Sequence, residues 1–250
     1  MKISATIITF NEERNVARVI ESLRCCDEIL VLDSGSNDRT VEIAKKLGAR
    51  VVEASWHGYA AQKNIAAELA AHDWILALDA DESLSEALEA EIWHIKKAGP
   101  QYDGFTVPRL AQYLGRWILH SGWHPDRKVR LFNKRKAKWV GEFVHESVVV
   151  NGLVGHLNSN LLHFTCNSLS EHLRTMDRYT TLAAQEIAAR EQNVGFAKLL
   201  FDPPWTFFRT YVVKAGFLDG VEGLTIAYMA ALYNFVKYSK ARSMSPGRKR

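Results

Sequence analysis

Four short apolar runs, each followed by a stretch of helical period, constrain this chain more than any other feature. "KISATIITF" is rich in β-branched residues, as strands are. "NEERNVARVIESLR" then places Val16, Val19, Ile20 and Leu23 at helical spacing. "EILVLD", "RVVEA" and "WILALD" read as three more strands. Between and after them, "SGSNDRTVEIAKKLGA", "GYAAQKNIAAELAA" and "LSEALEAEIWHIKKAG" read as helices, with Gly48 and Gly99-Pro100 as stop signals. Strands alternating with helices predict a mostly parallel central sheet covered on both faces. Sheets of that kind bind ligands beyond the carboxyl ends of their strands. Asp33, Asp79 and Asp81 fall at those ends.

The middle, from "GFTVPRL" to "FVHESVVV", reads as mixed strand and loop. From about Ser168 the pattern turns helical, with "DPPW" expected to break it and "SMSPGRKR" expected to be a disordered tail. The expected organisation is a catalytic α/β domain over residues 1–165, a helical extension over 166–240 and a basic tail over 241–250. Charge divides the same way. From Val194 onward there are nine Lys/Arg against three Asp/Glu, although the whole chain carries only +4. A basic, aromatic C-terminal region predicts contact with an anionic membrane surface. The apolar run "LTIAYMAALYNFV" is shorter than the roughly 20 residues a spanning helix needs. Three cysteines without metal-site spacing and an N-terminus without a leader pattern predict a cytoplasmic protein.

Residues i and i+2 of a strand share a face, so Asp79 and Asp81 are expected to point into one site. Two neighbouring carboxylates repel unless a cation or a shared proton neutralises them. A divalent hard cation bridging to substrate phosphates meets that need. The bland alternative is that "DES" merely opens the next helix, favoured by its dipole. Asp33 likewise is either a nucleoside contact or part of a turn in "DSGSND". No G-x-G-x-x-G turn or P-loop follows the first strand.

Taken together, "TIITFNEERNV", "EILVLDSGSNDRTVEIA", "GYAAQKNIA" and "WILALDADE" resemble, in order and spacing, the family 2 glycosyltransferases. "GWHPDRKVRLFNK", "VGEFVHE" and "GFLDGVEGLTIAYMAALYNFVKY" extend the likeness to a bacterial subgroup that includes β-1,4-glucosyltransferases of lipopolysaccharide core synthesis. The resemblance implies a GT-A nucleotide-diphospho-sugar-binding fold and inverting transfer with Mg²⁺ or Mn²⁺. It implies a UDP-sugar donor and a lipid-linked oligosaccharide acceptor at the inner face of the bacterial inner membrane. It places Thr9, Asn11, Glu13, Asp33 and Lys63 around the nucleotide. It makes Asp79-Ala80-Asp81 a D-x-D motif, with Asp81 the direct metal ligand and Asp79 a ribose or water-mediated metal contact.

A general base is also required, and Glu146 and Asp126 both remain candidates, because the Glu-Asp pair common elsewhere in the family is missing here. His145 is a candidate third metal ligand. Arg130 and Arg127 are candidate pyrophosphate donors. "DRKVRLFNKRKAK" is basic enough for a nucleic-acid site, but its alternation reads as a strand with one basic face, so no nucleic-acid partner is expected. Trp117, Trp123 and Trp139 are either sugar-stacking faces or core. Two rival readings are a haloacid-dehalogenase-like phosphatase with Asp79 as nucleophile, and a non-catalytic nucleotide-binding scaffold at a membrane surface.

Overall fold

The computed structural model describes residues 1–141, 146–190 and 194–244. The first hundred residues form β1 (Ile3–Thr9), α1 (Val16–Glu21), β2 (Glu28–Asp33), α2 (Thr40–Lys46), β3 (Arg50–Glu53), α3 (Tyr59–Leu69), β4 (Trp74–Asp79), β5 (Glu82–Leu84) and α4 (Glu86–Ala98). The middle adds β6 (Gly104–Tyr113), β7 (Arg116–Trp117), β8 (Asp126–Asn133), β9 (Ala137–Val140), β10 (Ser147–Val150), β11 (Val154–His156) and β12 (Leu161–Cys166). Three long helices follow: α5 (Leu169–Ala189), α6 (Phe196–Phe208) and α7 (Gly220–Met244).

The chain divides into two compact units. One comprises Met1–Leu110 with Asp126–His163, the other Ala111–Pro125 with Phe164–Arg250. Residues 111–125, within the stretch that the sequence assigns to the first domain, thus cluster with the helices.

In the first unit the strand order runs β3-β2-β1-β4-β8-β6-β12-β5. β3, β2, β1 and β4 pair in parallel, which is the βαβ core expected from the alternation. Beyond β4 the pairing turns antiparallel, at β4–β8, β8–β6 and β12–β5. β1 and β4 are buried along nearly their whole length, so they read as continuous apolar runs. Their side chains alternate between two cores. Val31, Leu76, Leu78 and Leu131 pack on one face with Val16, Leu88 and Ile92. Leu30, Ile75 and Phe132 pack on the other with Ala67 of α3 and Trp139 of β9.

"DES" does not open α4. Glu82-Ser83-Leu84 form the strand β5, and the helix starts at Ser85, whose hydroxyl accepts a hydrogen bond from the Leu88 N–H at 3.1 Å. Pairing with β12 satisfies the backbone there, so the acids are free for other work.

In the second unit α7 packs against α5 and α6. Lys240 reaches Asp177 Oδ1 at 2.7 Å, and Asn234 donates to Thr206 Oγ1 at 2.7 Å. Pro203 and Pro204 do not break the chain; they lie inside α6. Proline's fixed φ is helical, so the pair removes N–H donors without forcing a turn. The reversal comes later, after a π-helical turn over Arg209–Val213, where Ala215 takes a left-handed φ of 52°. A short 3₁₀ turn, Gly216–Asp219, leads into α7. Buried Asp219 accepts the Leu119 and His120 N–H groups, at 3.2 and 3.0 Å, and the Ser121 hydroxyl at 3.1 Å. The helix α7 continues to Met244, so residues 241–244 of the expected tail are helical.

Candidate active site

The site grows from the carboxyl ends of β1, β2 and β4. Parallel register sets Thr9 beside Asp33, and the Thr9 hydroxyl donates to Asp33 Oδ1 at 2.9 Å. The same carboxylate accepts the Gly35 N–H at 3.0 Å, the Ser36 N–H at 2.7 Å and the Ser36 hydroxyl at 2.6 Å. Asp33 therefore shapes its own turn, in which Gly35 takes the positive φ that a side chain would resist. Asn11 and Glu13 stitch the β1–α1 loop to this turn. Asn11 Oδ1 accepts the Asn37 N–H at 2.9 Å, and Glu13 pairs with Arg39 at 3.4 Å. The two loops form one braced rim.

At the end of β4 the carboxylates lie in an alternating chain of charges. Lys63 of α3, buried, bridges Glu146 Oε1 at 2.9 Å and Asp79 Oδ1 at 2.8 Å. Arg130 of β8, only 4% exposed, bridges Asp79 Oδ2 at 2.6 Å and Glu82 Oε1 at 2.5 Å. Glu82 also accepts the backbone N–H of Asp79 at 3.0 Å. Arg109 spans Glu82, at 3.5 Å, and Asp126, at 2.7 Å; Lys128 closes the chain on Asp126 at 3.2 Å. Four carboxylates thus alternate with four cations, and the two base candidates, Glu146 and Asp126, are the first and last carboxylates of the chain.

Buried charge is tolerable only when paired in this way. Burial works against ionising Asp79, but Arg130 and then Lys63 outweigh it and hold the carboxyl well below its usual range. Burial likewise opposes the charge on Arg130, and Asp79 and Glu82 overcome it, raising its pKa. Burial opposes ionising Asp126 too, but Arg109 and Lys128 together outweigh it and hold the carboxyl below its ordinary value.

Asp81 lies outside this chain. Its Oδ2 sits 3.2 Å from Nε2 of His163, and both side chains are partly exposed. Antiparallel pairing of β12 with β5 sets His163 across from Glu82 and thereby brings it to Asp81. A carboxylate oxygen and an imidazole nitrogen are donors of the kind that Mn²⁺ takes. Among the described residues no group of three or more His, Cys, Asp and Glu is placed to share a metal. Both oxygens of Asp79 face cations of the protein itself. His145 lies outside the described residues.

Sequence reasoning missed His163, Arg109 and the role of Glu82. His163 is 82 residues from Asp81, and nothing local in "LLHFTC" marks it. Arg127, exposed, donates to the backbone carbonyl of Leu157 at 2.9 Å. Trp139 is a buried floor, with the Lys63 ammonium 4.5 Å above its ring. Asn64 fixes that floor by exchanging two 2.9 Å hydrogen bonds with the Trp139 backbone.

Braced loops and carboxylates at the ends of a parallel sheet that continues into antiparallel strands define the GT-A class of nucleotide-sugar enzymes. The chain belongs to glycosyl transferase family 2, whose model matches residues 4–151. It is 32% identical to the lipopolysaccharide core biosynthesis glycosyltransferase LpsC of Rhizobium meliloti, over 96% of this chain and 92% of LpsC. In fold it is similar to the mannosyltransferase PcManGT of Pyrobaculum calidifontis, solved with GDP-Man and Mn²⁺ (TM-score 0.54, 13% identity, 96% of this chain and 87% of that one). It is similar also to S. aureus TarS 1–349, solved with UDP-GlcNAc (TM-score 0.51, 15% identity, 99% and 93%). Family membership displaces the phosphatase reading. Asp79, clamped between Lys63 and Arg130, is also poorly disposed to act as a nucleophile.

Proposed function

We propose that the protein is an inverting, metal-dependent hexosyltransferase that moves glucose from UDP-glucose onto a lipopolysaccharide core or another lipid-linked sugar. The observation that carries this reading is the Asp81–His163 pair beside a neutral chain of buried ion pairs. The likeness to LpsC supports the acceptor class. UDP and glucose follow from the subgroup resemblance. The enzyme would work at the cytoplasmic face of the inner membrane, with its basic, aromatic C-terminal region against anionic lipid.

Asp81 and His163 would hold the Mg²⁺ or Mn²⁺, which supplies positive charge to a diphosphate leaving group. Glu146 accepts the proton of the attacking hydroxyl as the new bond forms on the face opposite the diphosphate. Glu146 is preferred to Asp126 because a single lysine holds it, whereas Asp126 is gripped by Arg109 through two nitrogens and by Lys128. Arg130 and Glu82 fix Asp79, and Asp79 fixes Lys63 at the edge of the site. Thr9, Asn11, Glu13 and Asp33 form the rim on which the nucleoside rests.

Calorimetric titration with UDP, UDP-glucose and GDP-mannose, with and without Mn²⁺, tests the donor. Mn²⁺-dependent UDP binding that Asp81→Ala weakens about 100-fold is the expected result. Tighter binding of GDP-mannose would overturn the choice of nucleotide. Comparing kcat of Glu146→Gln with that of Asp126→Asn tests the base: the former should lose at least about 100-fold, the latter much less.

A further inference from the structure

The turn between α6 and α7 exposes apolar side chains that a packed helical domain would cover. Leu200, Phe201, Trp205 and Phe208 line one side of α6 at steps that keep them on a single face. Val212 and Val213 of the π-helical turn, Phe217 and Leu218 of the 3₁₀ turn, and Val221 at the start of α7 carry exposure on around the reversal. Phe201 is 64% exposed, Trp205 and Val213 59%, and Val221 72%. The opposite side of α7 is used for packing, through buried Gly223, Ile226, Ala227 and Met229. So many large exposed apolar side chains in one place mark an interaction surface.

The charges around it identify the partner. Across residues 195–235 the exposed charged side chains are Lys198, Arg209 and Lys214, and all three are basic. The three acids of that segment are withdrawn. Asp219 is buried, Glu222 faces Arg116 at 3.9 Å, and Asp202 is half-buried and hydrogen-bonded to Tyr238. Aromatic and aliphatic residues flanked only by cations complement an anionic bilayer surface. No single helix among the described residues is long and apolar enough to cross a membrane. Phe196–Val213 and Gly216–Met244 meet that test only together, and they are bent by 72°.

From this we infer that the α6–α7 turn is a wedge that inserts into one leaflet of an anionic membrane, with Phe208, Val213, Phe217, Leu218 and Val221 in the hydrocarbon and Lys198, Arg209 and Lys214 at the phosphates. The wedge enters by about 5–10 Å, the depth of interfacial helices, and does not span. It deepens the membrane reading proposed above and rests on that reading only for its purpose, which is to hold the enzyme where a lipid-linked acceptor lies.

The test is flotation of the full chain with vesicles of phosphatidylcholine, alone or with about one-third phosphatidylglycerol. Wild type is expected to float with the anionic vesicles. The double variant Val213→Glu/Leu218→Glu should lose about tenfold or more in vesicle affinity, and Val213→Ser/Leu218→Ser should lose affinity with no change in helical circular dichroism. Lys198→Gln/Arg209→Gln/Lys214→Gln should lose the preference for phosphatidylglycerol. Lipids brominated near the headgroup should quench a component of fluorescence that Trp205→Phe removes. Wild-type-like flotation of both double variants overturns the wedge. So does wild type that ignores both vesicles, or a wild-type dimer that the Glu variant splits, since a second copy would then cover the surface. UDP titration of the same samples separates the two readings: vesicle binding without UDP binding keeps the wedge and discards the donor proposal.

Discussion

The two units break opposite rules of folding. The first takes seven charged side chains, from Glu146 to Asp126, at least partly out of solvent and neutralises them in a chain that exposed Lys128 closes. The second leaves Phe201, Trp205, Val213 and Val221 in solvent although cores elsewhere take such residues. Each departure costs stability relative to the ordinary arrangement, apolar inside and charged outside. In the first unit geometry offsets the cost, because each buried charge has an opposite neighbour at hydrogen-bond distance. In the second, these side chains stay exposed among the described residues. The first unit prepairs charge, and the second leaves apolar surface unpaired.

Breaking the charge chain at its most buried member should have the largest effect. Glu82→Ala leaves Arg130 with one carboxylate instead of two, in a place with almost no water, and should cost about 3–5 kcal/mol in urea unfolding. An unchanged midpoint would mean that Arg130 is satisfied by Asp79 alone.

Next is Asp81→Ala. Asp81 stands outside the chain and should be removable without loss of stability, while Mn²⁺-dependent UDP affinity falls about 100-fold, or about 2.7 kcal/mol. If the protein instead unfolds, the separation between structural and ligand-facing carboxylates is wrong.

Gly223→Ala makes the corresponding cut in the second unit. A Cβ there would lie 1.9 Å from the Gly216 carbonyl oxygen and 2.9 Å from Asp219 Cβ, so backbone must move, at about 2 kcal/mol. UDP affinity should stay at the wild-type value, and a parallel loss would show that the two units do not act separately.

The acid limb of stability is a gentler probe. The carboxyls of Asp79 and Asp126 are held below their ordinary values, so below about pH 4 the unfolded chain binds more protons than the folded one. Their contribution is complete above that range and is lost as pH falls through the folded values. Asp79→Asn should flatten the acid limb of the urea midpoint, and superimposable curves would remove the clamp from the account.

The smallest effect belongs to the exposed surface. Trp205→Ser should change stability by no more than about 0.5 kcal/mol in lipid-free solution, because little of that ring is packed. A loss above about 2 kcal/mol would make Trp205 a core residue and close the contrast from the other side.

The parallel half of the sheet was legible because its strands are buried on both faces, which leaves an unbroken apolar run for each. Asp33, Asp79 and Asp81 were legible because those runs end in carboxylates. The prolines of α6 misled, because composition registers proline as a breaker while its φ suits a helix. The bland alternative for "DES", a helix start, falls because pairing with β12 makes Glu82 and Ser83 a strand, which no local pattern shows. His163 and Arg109 could not be picked out, because a histidine or an arginine in a strand gives no sign of which carboxylate it will meet.

The sequence by itself determined the alternation of strands and helices through β4, the family, and the carboxylates at the strand ends, because these depend on residues near one another in the chain. Tertiary structure alone decided that Asp79 is clamped while Asp81 stands with His163, and that the α6–α7 turn faces outward. Antiparallel pairing across β4–β8 and β5–β12 brings Arg130 and His163 to carboxylates that lie 51 and 82 residues away. The physical reason is that charge pairing and burial depend on distance in space, and spacing along the chain does not encode that distance.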